Sequence, residues 1–285
     1  MRKIPEITIE KLIETHAVLL LDAYGVLVDM SGALPGAIEL ISSLNRTKKP
    51  YFILTNDASR LAETSAKHYR DFGLRISPDR IITSGTLLQT YFEQNQLTGA
   101  RCVVLGPEDS IRYVEISGGT VVSPGEEFEV LVIGDEEGYP FLETVDTILT
   151  TLFQKLDRQE RVHLVLPNPD MIYPKSDKDF GIASGSVAIM LEAALESRYK
   201  HHRNLCFERL GKPHRAIFQE ALRRSGTMNM VIIGDQLETD IRGAIDFGID
   251  SVLVATGLAQ AHIENIPENC RPTYYMQNLK PKHDE

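Results

Sequence analysis

Short apolar runs alternate with longer amphipathic segments along most of the chain. An uninterrupted apolar run bounded by turn residues predicts a buried strand, most often in a parallel sheet. Between these runs, apolar side chains recur at helical spacing, as in Ile38, Ile41 and Leu44. Regular alternation of strand and helix predicts an α/β fold with parallel pairing and right-handed crossovers. We assign strands to residues 17–21, 50–54, 80–82, 102–106, 130–134, 162–166, 230–233 and 251–254.

The order of these segments predicts two domains, one inserted into the other. The chain has 285 residues, which is more than one typical domain needs. A basic, polar stretch at 198–203 follows a helical segment, and we interpret it as a solvated connector. We therefore predict a Rossmann-like parallel-sheet core formed by residues 1–82 and 204–285. A smaller α/β domain, residues 83–203, is inserted after the third strand.

The charge balance narrows the possible partners. The chain carries 40 acidic and 30 basic residues, a net charge of −10. This excess disfavours a nucleic-acid-binding protein, which needs a basic face. An anionic substrate would have to be attracted locally, by a metal ion, a lysine or helix N-termini.

The cysteines and the apolar content indicate a cytoplasmic protein without a membrane partner. Cys102, Cys206 and Cys270 are far apart, with neither metal-ligand spacing nor a disulfide framework, which suits a reducing compartment. The first residues contain no secretory signal, and no apolar run approaches the length of a membrane span.

Polar side chains stand where several predicted strands end. Open α/β sheets bind ligands at the carboxyl ends of their strands, so these side chains are candidates for a site. Together they supply a carboxylate nucleophile, a hydroxyl and amide pair, a cation and an acidic loop. They are Asp22, Thr55, Asn56, Lys212, Asp235 and Asp240.

This set of groups is what phosphoryl transfer through an aspartyl-phosphate requires. Asp22 would attack phosphorus and form a covalent intermediate. Mg²⁺, which prefers oxygen ligands, would be bound by Asp22, a backbone carbonyl and the acidic loop of Asp235 and Asp240. Thr55 would hold the phosphoryl oxygens, while Lys212 would stabilise charge on them and on Asp22.

At these positions the chain resembles the haloacid dehalogenase-like hydrolase superfamily, more narrowly the branch of metabolite phosphatases related to p-nitrophenyl phosphatase. The resemblance implies a Rossmann-like core with a large α/β cap that selects the substrate. It also implies pairing of two copies through their caps. The matching segments are residues 22–27, 34–37, 54–56, 83–85, 168–170, 211–213 and 234–240.

The resemblance assigns roles to three further residues. These phosphatases usually carry a second Asp two positions after the nucleophile, as general acid and then base, whereas this chain has Tyr24. A phenol is a much weaker acid than a carboxylic acid, so we expect slower turnover, with the Tyr24 carbonyl still able to bind Mg²⁺. Asn168 and Asp170 resemble a family loop, and we predict that they orient the substrate.

The preferred interpretation is a Mg²⁺-dependent phosphatase-like hydrolase of a small phosphorylated metabolite, such as a sugar phosphate. Two alternatives remain open. The segment 22–25 also resembles the first motif of the metal-independent 2-haloacid dehalogenases, which displace halide from carbon. A phosphate- and Mg²⁺-binding regulatory protein with little turnover would keep the same cluster of residues.

Overall fold

The computed structural model describes residues 4–175, 179–199, 205–255 and 266–280. The chain divides into two compact units. The first contains Met1–Thr55, Ala62–Ile82 and Lys212–Glu285, and the second contains Asn56–Leu61 and Thr83–Gly211. Among the helices in the described ranges, none is both long and apolar enough to cross a membrane. Residues 200–203 of the predicted connector lie outside the described residues.

Helices and strands alternate along both units, as the apolar pattern predicts. The helices are α1 Ile9–Thr15, α2 Ala37–Thr47, α3 Ala62–Asp71, α4 Leu87–Asn95, α5 Glu108–Ile116, α6 Phe141–Asp157, α7 Ser184–Arg198, α8 Arg215–Ser225 and α9 Arg242–Phe247. The strands are β1 Val18–Leu21, β2 Val28–Asp29, β3 Gly32–Ala33, β4 Tyr51–Thr55, β5 Ile81–Thr83, β6 Arg101–Leu105, β7 Thr120–Val121, β8 Val130–Ile133, β9 His163–Leu166, β10 Ile172–Pro174, β11 Phe180–Ile182, β12 Glu208–Arg209, β13 Met230–Gly234, β14 Asp250–Val254 and β15 Tyr274–Met276.

The first unit is built on a six-stranded sheet in the order β15-β14-β13-β1-β4-β5. β1 lies between β13 and β4 and is parallel to both, with Leu21 in register with Ile233 and Ile53. Every residue of these three strands is buried, which explains their continuous apolar sequence. Their carboxyl ends therefore emerge side by side at one edge of the sheet.

Helix α2 shows how the helical periodicity is used in this unit. Its buried side chains are Ala37, Leu40, Ile41 and Leu44, three or four residues apart, and they join the apolar core that covers the sheet. The opposite side of α2 carries exposed polar residues such as Glu39. The predicted helix is confirmed, and its buried side covers one face of the central strands.

The second unit has its own parallel sheet, in the order β12-β9-β8-β6-β7, and a separate antiparallel hairpin of β10 and β11. Its core includes Leu131 and Leu166 from the sheet and Leu191 from α7. The predicted fold class, a parallel-sheet α/β core carrying an inserted α/β domain, is confirmed.

The boundaries of the two units differ from those we predicted. β12 pairs with β9 through Glu208 and Val165, so the second unit continues to Gly211 instead of ending at 203. The segment 56–61 also belongs to the second unit, where Ser110 Oγ donates a hydrogen bond of 2.8 Å to the Ala58 carbonyl. A two-residue strand has no apolar periodicity, so its partner is visible only in the folded chain.

Candidate active site

The chain turns sharply directly after β1, and Asp22 is the first residue of that turn. The Asp22 amide donates to the Ile233 carbonyl at 2.9 Å, which continues the pairing of β1 with β13. The Ala23 amide donates to Asp22 Oδ1 at 2.8 Å and fixes the carboxylate. Gly25 has a φ of +84°, a backbone conformation that favours glycine and allows the reversal.

Lys212 connects two carboxylates within the first unit. Its Nζ donates to Asp22 Oδ1 at 2.6 Å and to Asp240 Oδ1 at 2.7 Å. The Lys212 side chain is 3% exposed, and the two carboxylates are similarly buried. A buried ammonium group held between two carboxylates stabilises their charge where screening by solvent is weak.

The acidic loop follows β13. β13 ends at Gly234, Asp235 comes next, and Leu237–Ile241 form one turn of π-helix, a feature frequent at functional sites. The Gln236 amide donates to Asp240 Oδ2 at 3.2 Å. A Cβ on Gly234 would lie 2.3 Å from the Cβ of Asp240, so this close approach of loop and strand requires glycine.

The three buried acids form a donor set that suits a hard divalent cation. Asp22, Asp235 and Asp240 each offer a carboxylate oxygen, and these oxygens lie within 4.8 Å of one another. Lys212 supplies a single positive charge against three carboxylates, so a divalent ion would compensate the remainder. Mg²⁺ and similar ions bind oxygen ligands of this kind.

The pKa shifts within the cluster also favour a bound cation. Burial and the neighbouring carboxylate of Asp240 raise the pKa of Asp22 well above its ordinary value, although Lys212 opposes the shift. Burial alone would lower the pKa of Lys212, but the carboxylates of Asp22 and Asp240 outweigh it and raise that pKa. A cation among these acids would favour their ionised forms.

Tyr24 is half-buried and packs against the apolar core of the first unit. Its hydroxyl lies 3.4 Å from Nε2 of His68 on α3, within hydrogen-bonding distance. His68 in turn packs edge-on against Phe72, with ring centroids 4.6 Å apart. No sequence motif pointed to His68, because it meets Tyr24 only in the folded chain, from 44 positions away.

Thr55 lies in the first unit, whereas the other predicted substrate-binding residues lie in the second. Thr55 is buried at the carboxyl end of β4, the neighbour of β1 in the first unit. In the second unit, Asn56 Nδ2 donates to Asp170 Oδ1 at 2.8 Å, and the Asp170 amide donates to Asn168 Oδ1 at 3.0 Å. The structure thus gathers Asp22, Lys212, Asp235 and Asp240 in one cluster, and Asn56, Asn168 and Asp170 in another.

Comparisons with known proteins agree with this arrangement. Residues 19–120 match the sequence model of a family described as "Haloacid dehalogenase-like hydrolase". Residues 209–281 match a second model, of hydrolases like the haloacid dehalogenases. The two matched segments contain Asp22 at one end of the chain and Lys212, Asp235 and Asp240 at the other.

Individual relatives span almost the entire chain. A dihydroxyacetone phosphatase of Corynebacterium glutamicum is 27% identical over 263 residues, which cover 91% of this chain and 88% of the relative. A crystal structure described as a possible sugar phosphatase from Cytophaga hutchinsonii has 28% identity and a TM-score of 0.82, covering 98% of this chain and 100% of that one. A glycerol phosphate phosphatase of Mycobacterium tuberculosis, in complex with magnesium, shares the fold at 23% identity and a TM-score of 0.78, with coverage of 94% and 76%.

Proposed function

This chain belongs to the haloacid dehalogenase-like hydrolases, and from that premise we propose that it is a Mg²⁺-dependent phosphatase of a small phosphorylated metabolite. The observation that carries the proposal is the buried cluster in which Lys212 bridges Asp22 and Asp240. Relatives named as a dihydroxyacetone phosphatase, an acid sugar phosphatase and a possible sugar phosphatase support the substrate class.

Asp22 is the proposed nucleophile. Within the described part of the chain, its side chain accepts hydrogen bonds from the Ala23 amide and from Lys212, and both end on Oδ1. Oδ2 is then the oxygen that attacks phosphorus, forming an O–P bond while the bond from phosphorus to the leaving oxygen breaks. Water later attacks the phosphorus of this aspartyl-phosphate and releases inorganic phosphate, which restores the Asp22 carboxylate.

Mg²⁺ is the proposed cofactor, and its ligands would be Asp22, Asp235, Asp240 and the backbone carbonyl of Tyr24. When bound, it supplies positive charge that offsets the phosphate dianion and the acidic cluster. The magnesium complex of the mycobacterial relative supports this choice of ion.

Lys212 and Thr55 are the proposed phosphate-positioning residues. Lys212 holds the Oδ1 side of Asp22 and places a positive charge where negative charge develops in the transition state. Thr55 offers a hydroxyl at the end of the neighbouring strand β4, where it would hold a phosphoryl oxygen. We further propose that Asn56, Asn168 and Asp170 act in substrate binding as one hydrogen-bonded group.

A screen of phosphorylated metabolites with and without Mg²⁺ tests this function by phosphate release. Asp22→Asn should abolish release for every substrate, because the amide is not a nucleophile. Asp246→Asn is the matched control, since Asp246 is an exposed acid on α9 that pairs with Arg242. Activity that survives Asp22→Asn, or needs no divalent ion, contradicts the proposal. Chloride release from 2-chloropropionate without metal would indicate the dehalogenase alternative.

A further inference from the structure

The chain passes between its two units at four places, and two of these crossings adjoin proposed site residues. Thr55 is the last residue of the first unit before Asn56, and Lys212 is the first residue after Gly211. Each crossing is a planar peptide bond, so the backbone on one side of it limits where the neighbouring side chain can lie. The contacts that the crossing residues make inside the second unit therefore bear on the site.

Asn56 is buried and is held at both its backbone and its side chain. Its carbonyl accepts a hydrogen bond of 2.6 Å from the hydroxyl of Ser84, which is fully buried. Its side chain donates to Asp170. A Cβ on Gly211 would lie 2.5 Å from Asn56 Oδ1, so the amide also packs directly against the Gly211 backbone. Three of the four crossings thus meet at this residue, because Ser84 lies one position after the third crossing.

Tyr113 of α5 joins the remaining crossing to the third. Its buried hydroxyl donates to the Arg60 carbonyl at 2.7 Å and lies 2.6 Å from Thr83 Oγ1. A phenol has one proton, so the Thr83 hydroxyl is the donor to Tyr113. The Leu61 amide donates to Asp109, also on α5, at 2.9 Å. Helix α5 therefore holds the second crossing, which follows Leu61, beside the third.

Side chains make these contacts because the segment 56–61 forms neither helix nor strand. A backbone carbonyl inside a protein needs a hydrogen-bond donor, and here three alternate carbonyls receive one from a hydroxyl group. The pairs are Asn56 with Ser84, Ala58 with Ser110, and Arg60 with Tyr113. All three donor residues are buried, so solvent competes little with them. The conformation of the segment is therefore set by side chains that are distant in sequence.

From this arrangement we infer that Ser84 and Tyr113 are positioning residues of the phosphatase site. By fixing the backbone at Asn56 and Arg60, they fix the segment that begins directly after Thr55, and with it the orientation of the Thr55 hydroxyl. The inference rests on the proposed function, in which Thr55 holds a phosphoryl oxygen, and adds two residues that act through Thr55. A displacement of about 1 Å at a positioning group can cost roughly 10²-fold in rate.

Tyr113→Phe and Ser84→Ala remove one hydroxyl each and test the inference by steady-state phosphate release with Mg²⁺. We expect kcat to fall at least about 10-fold in each variant, because Thr55 is no longer held in position. Tyr91→Phe is the matched control and should keep the parent kcat, since the Tyr91 hydroxyl lies 3.0 Å from His163 Nδ1, elsewhere in the second unit. A parent-like kcat in both variants, or an equal fall in the control, overturns the inference and leaves the proposed function intact.

A double-mutant cycle with Thr55→Val separates positioning from a general loss of packing. Val keeps the shape of Thr without its hydroxyl, so Thr55→Val removes the group through which Ser84 and Tyr113 act. In that background, Tyr113→Phe should lower kcat by less than about 2-fold, because residues that act through one another have non-additive effects. The same fall with and without the Thr55 hydroxyl would show that Tyr113 acts elsewhere, against the inference.

Hydrogen exchange measures the positioning without relying on catalysis. In the intact chain, the amides of residues 56–61 should exchange at least about 10-fold faster in Tyr113→Phe than in the parent, and at the parent rate in Tyr91→Phe. Unchanged exchange in Tyr113→Phe would contradict the inference even where kcat falls. Phosphate release that does not depend on Asp22 in the parent chain would instead overturn the proposed function, and this inference with it.

Discussion

A Cβ placed on Gly25 would lie 2.3 Å from Oδ2 of Asp235, so the turn after β1 and the acidic loop after β13 touch through backbone and carboxylate. Gly25 also has a φ of +84°, which residues with a side chain adopt only at a cost. The turn that follows Asp22 thus places its backbone directly against Asp235, a predicted metal ligand. This contact requires that Gly25 has no side chain.

Gly25→Ala is expected to abolish binding of Mg²⁺, because the new methyl group displaces the Asp235 carboxylate. Gly248→Ala is the matched control, since Gly248 has a φ of +88° with nothing within 4 Å of its added Cβ. Both variants should lose about 1–2 kcal/mol of stability from backbone strain. Calorimetric titration with Mg²⁺ should find binding lost in the first variant alone, and equal affinities would refute the steric argument.

Lys212→Met should destabilise the metal-free chain by about 3–5 kcal/mol, because the carboxylates of Asp22 and Asp240 lose a buried charge partner. Lys11→Met is the comparison, since Lys11 forms an exposed pair with Glu14 at 3.2 Å. Such a pair contributes about 0–1 kcal/mol. Urea unfolding in the presence of EDTA measures both, and similar losses for the two variants would contradict a structural role for the buried bridge.

Mg²⁺ should raise the melting temperature of the chain, because binding to the folded state alone stabilises it by about 2.7 kcal/mol at one hundred times Kd. Asp235→Asn is expected to remove most of this shift. Glu238 lies at an exposed position in the same loop, so Glu238→Gln should keep the shift in melting temperature. Thermal unfolding with and without Mg²⁺ measures these shifts in melting temperature. A shift that remains in Asp235→Asn would mean that the ion binds elsewhere.

Glu136, in the second unit, should make stability fall as the pH rises. Burial, helped by the charge of Asp135, raises the pKa of Glu136 from 4.5 to about 7, although Ser184 donates a hydrogen bond to it. Between these two pKa values the folded chain binds more protons than the unfolded chain, so the free energy of unfolding decreases with pH. Below this window both states are protonated, and above it both are ionised.

Glu136→Gln should therefore gain stability relative to the parent chain between about pH 4.5 and about pH 7. Urea unfolding across this range measures the difference. Glu143→Gln, an exposed position in the first turn of α6, serves as the control and should follow the parent chain. A constant difference between the Glu136 variant and the parent would contradict the assigned titration.

The strands that carry the site could be predicted from the sequence because a fully buried strand must be apolar throughout. The runs before Asp22 and before Asp235 correspond to β1 and β13, and each polar residue follows the last buried position of its strand. That placement needs no knowledge of tertiary contacts. The parallel α/β fold and the membership in a hydrolase family were likewise accessible from short segments.

The partners of these residues were decided only when the chain folded. Lys212 meets Asp22 across 190 positions of sequence, and Tyr24 meets His68 across 44. The two-residue strand β12 pairs with β9, so the second unit extends to Gly211 and does not end at residue 203. Apolar periodicity records which side of an element is buried, but it does not record which distant element covers it. The strand order β13-β1-β4, and with it the buried acidic cluster, is therefore a property of the packed sheet.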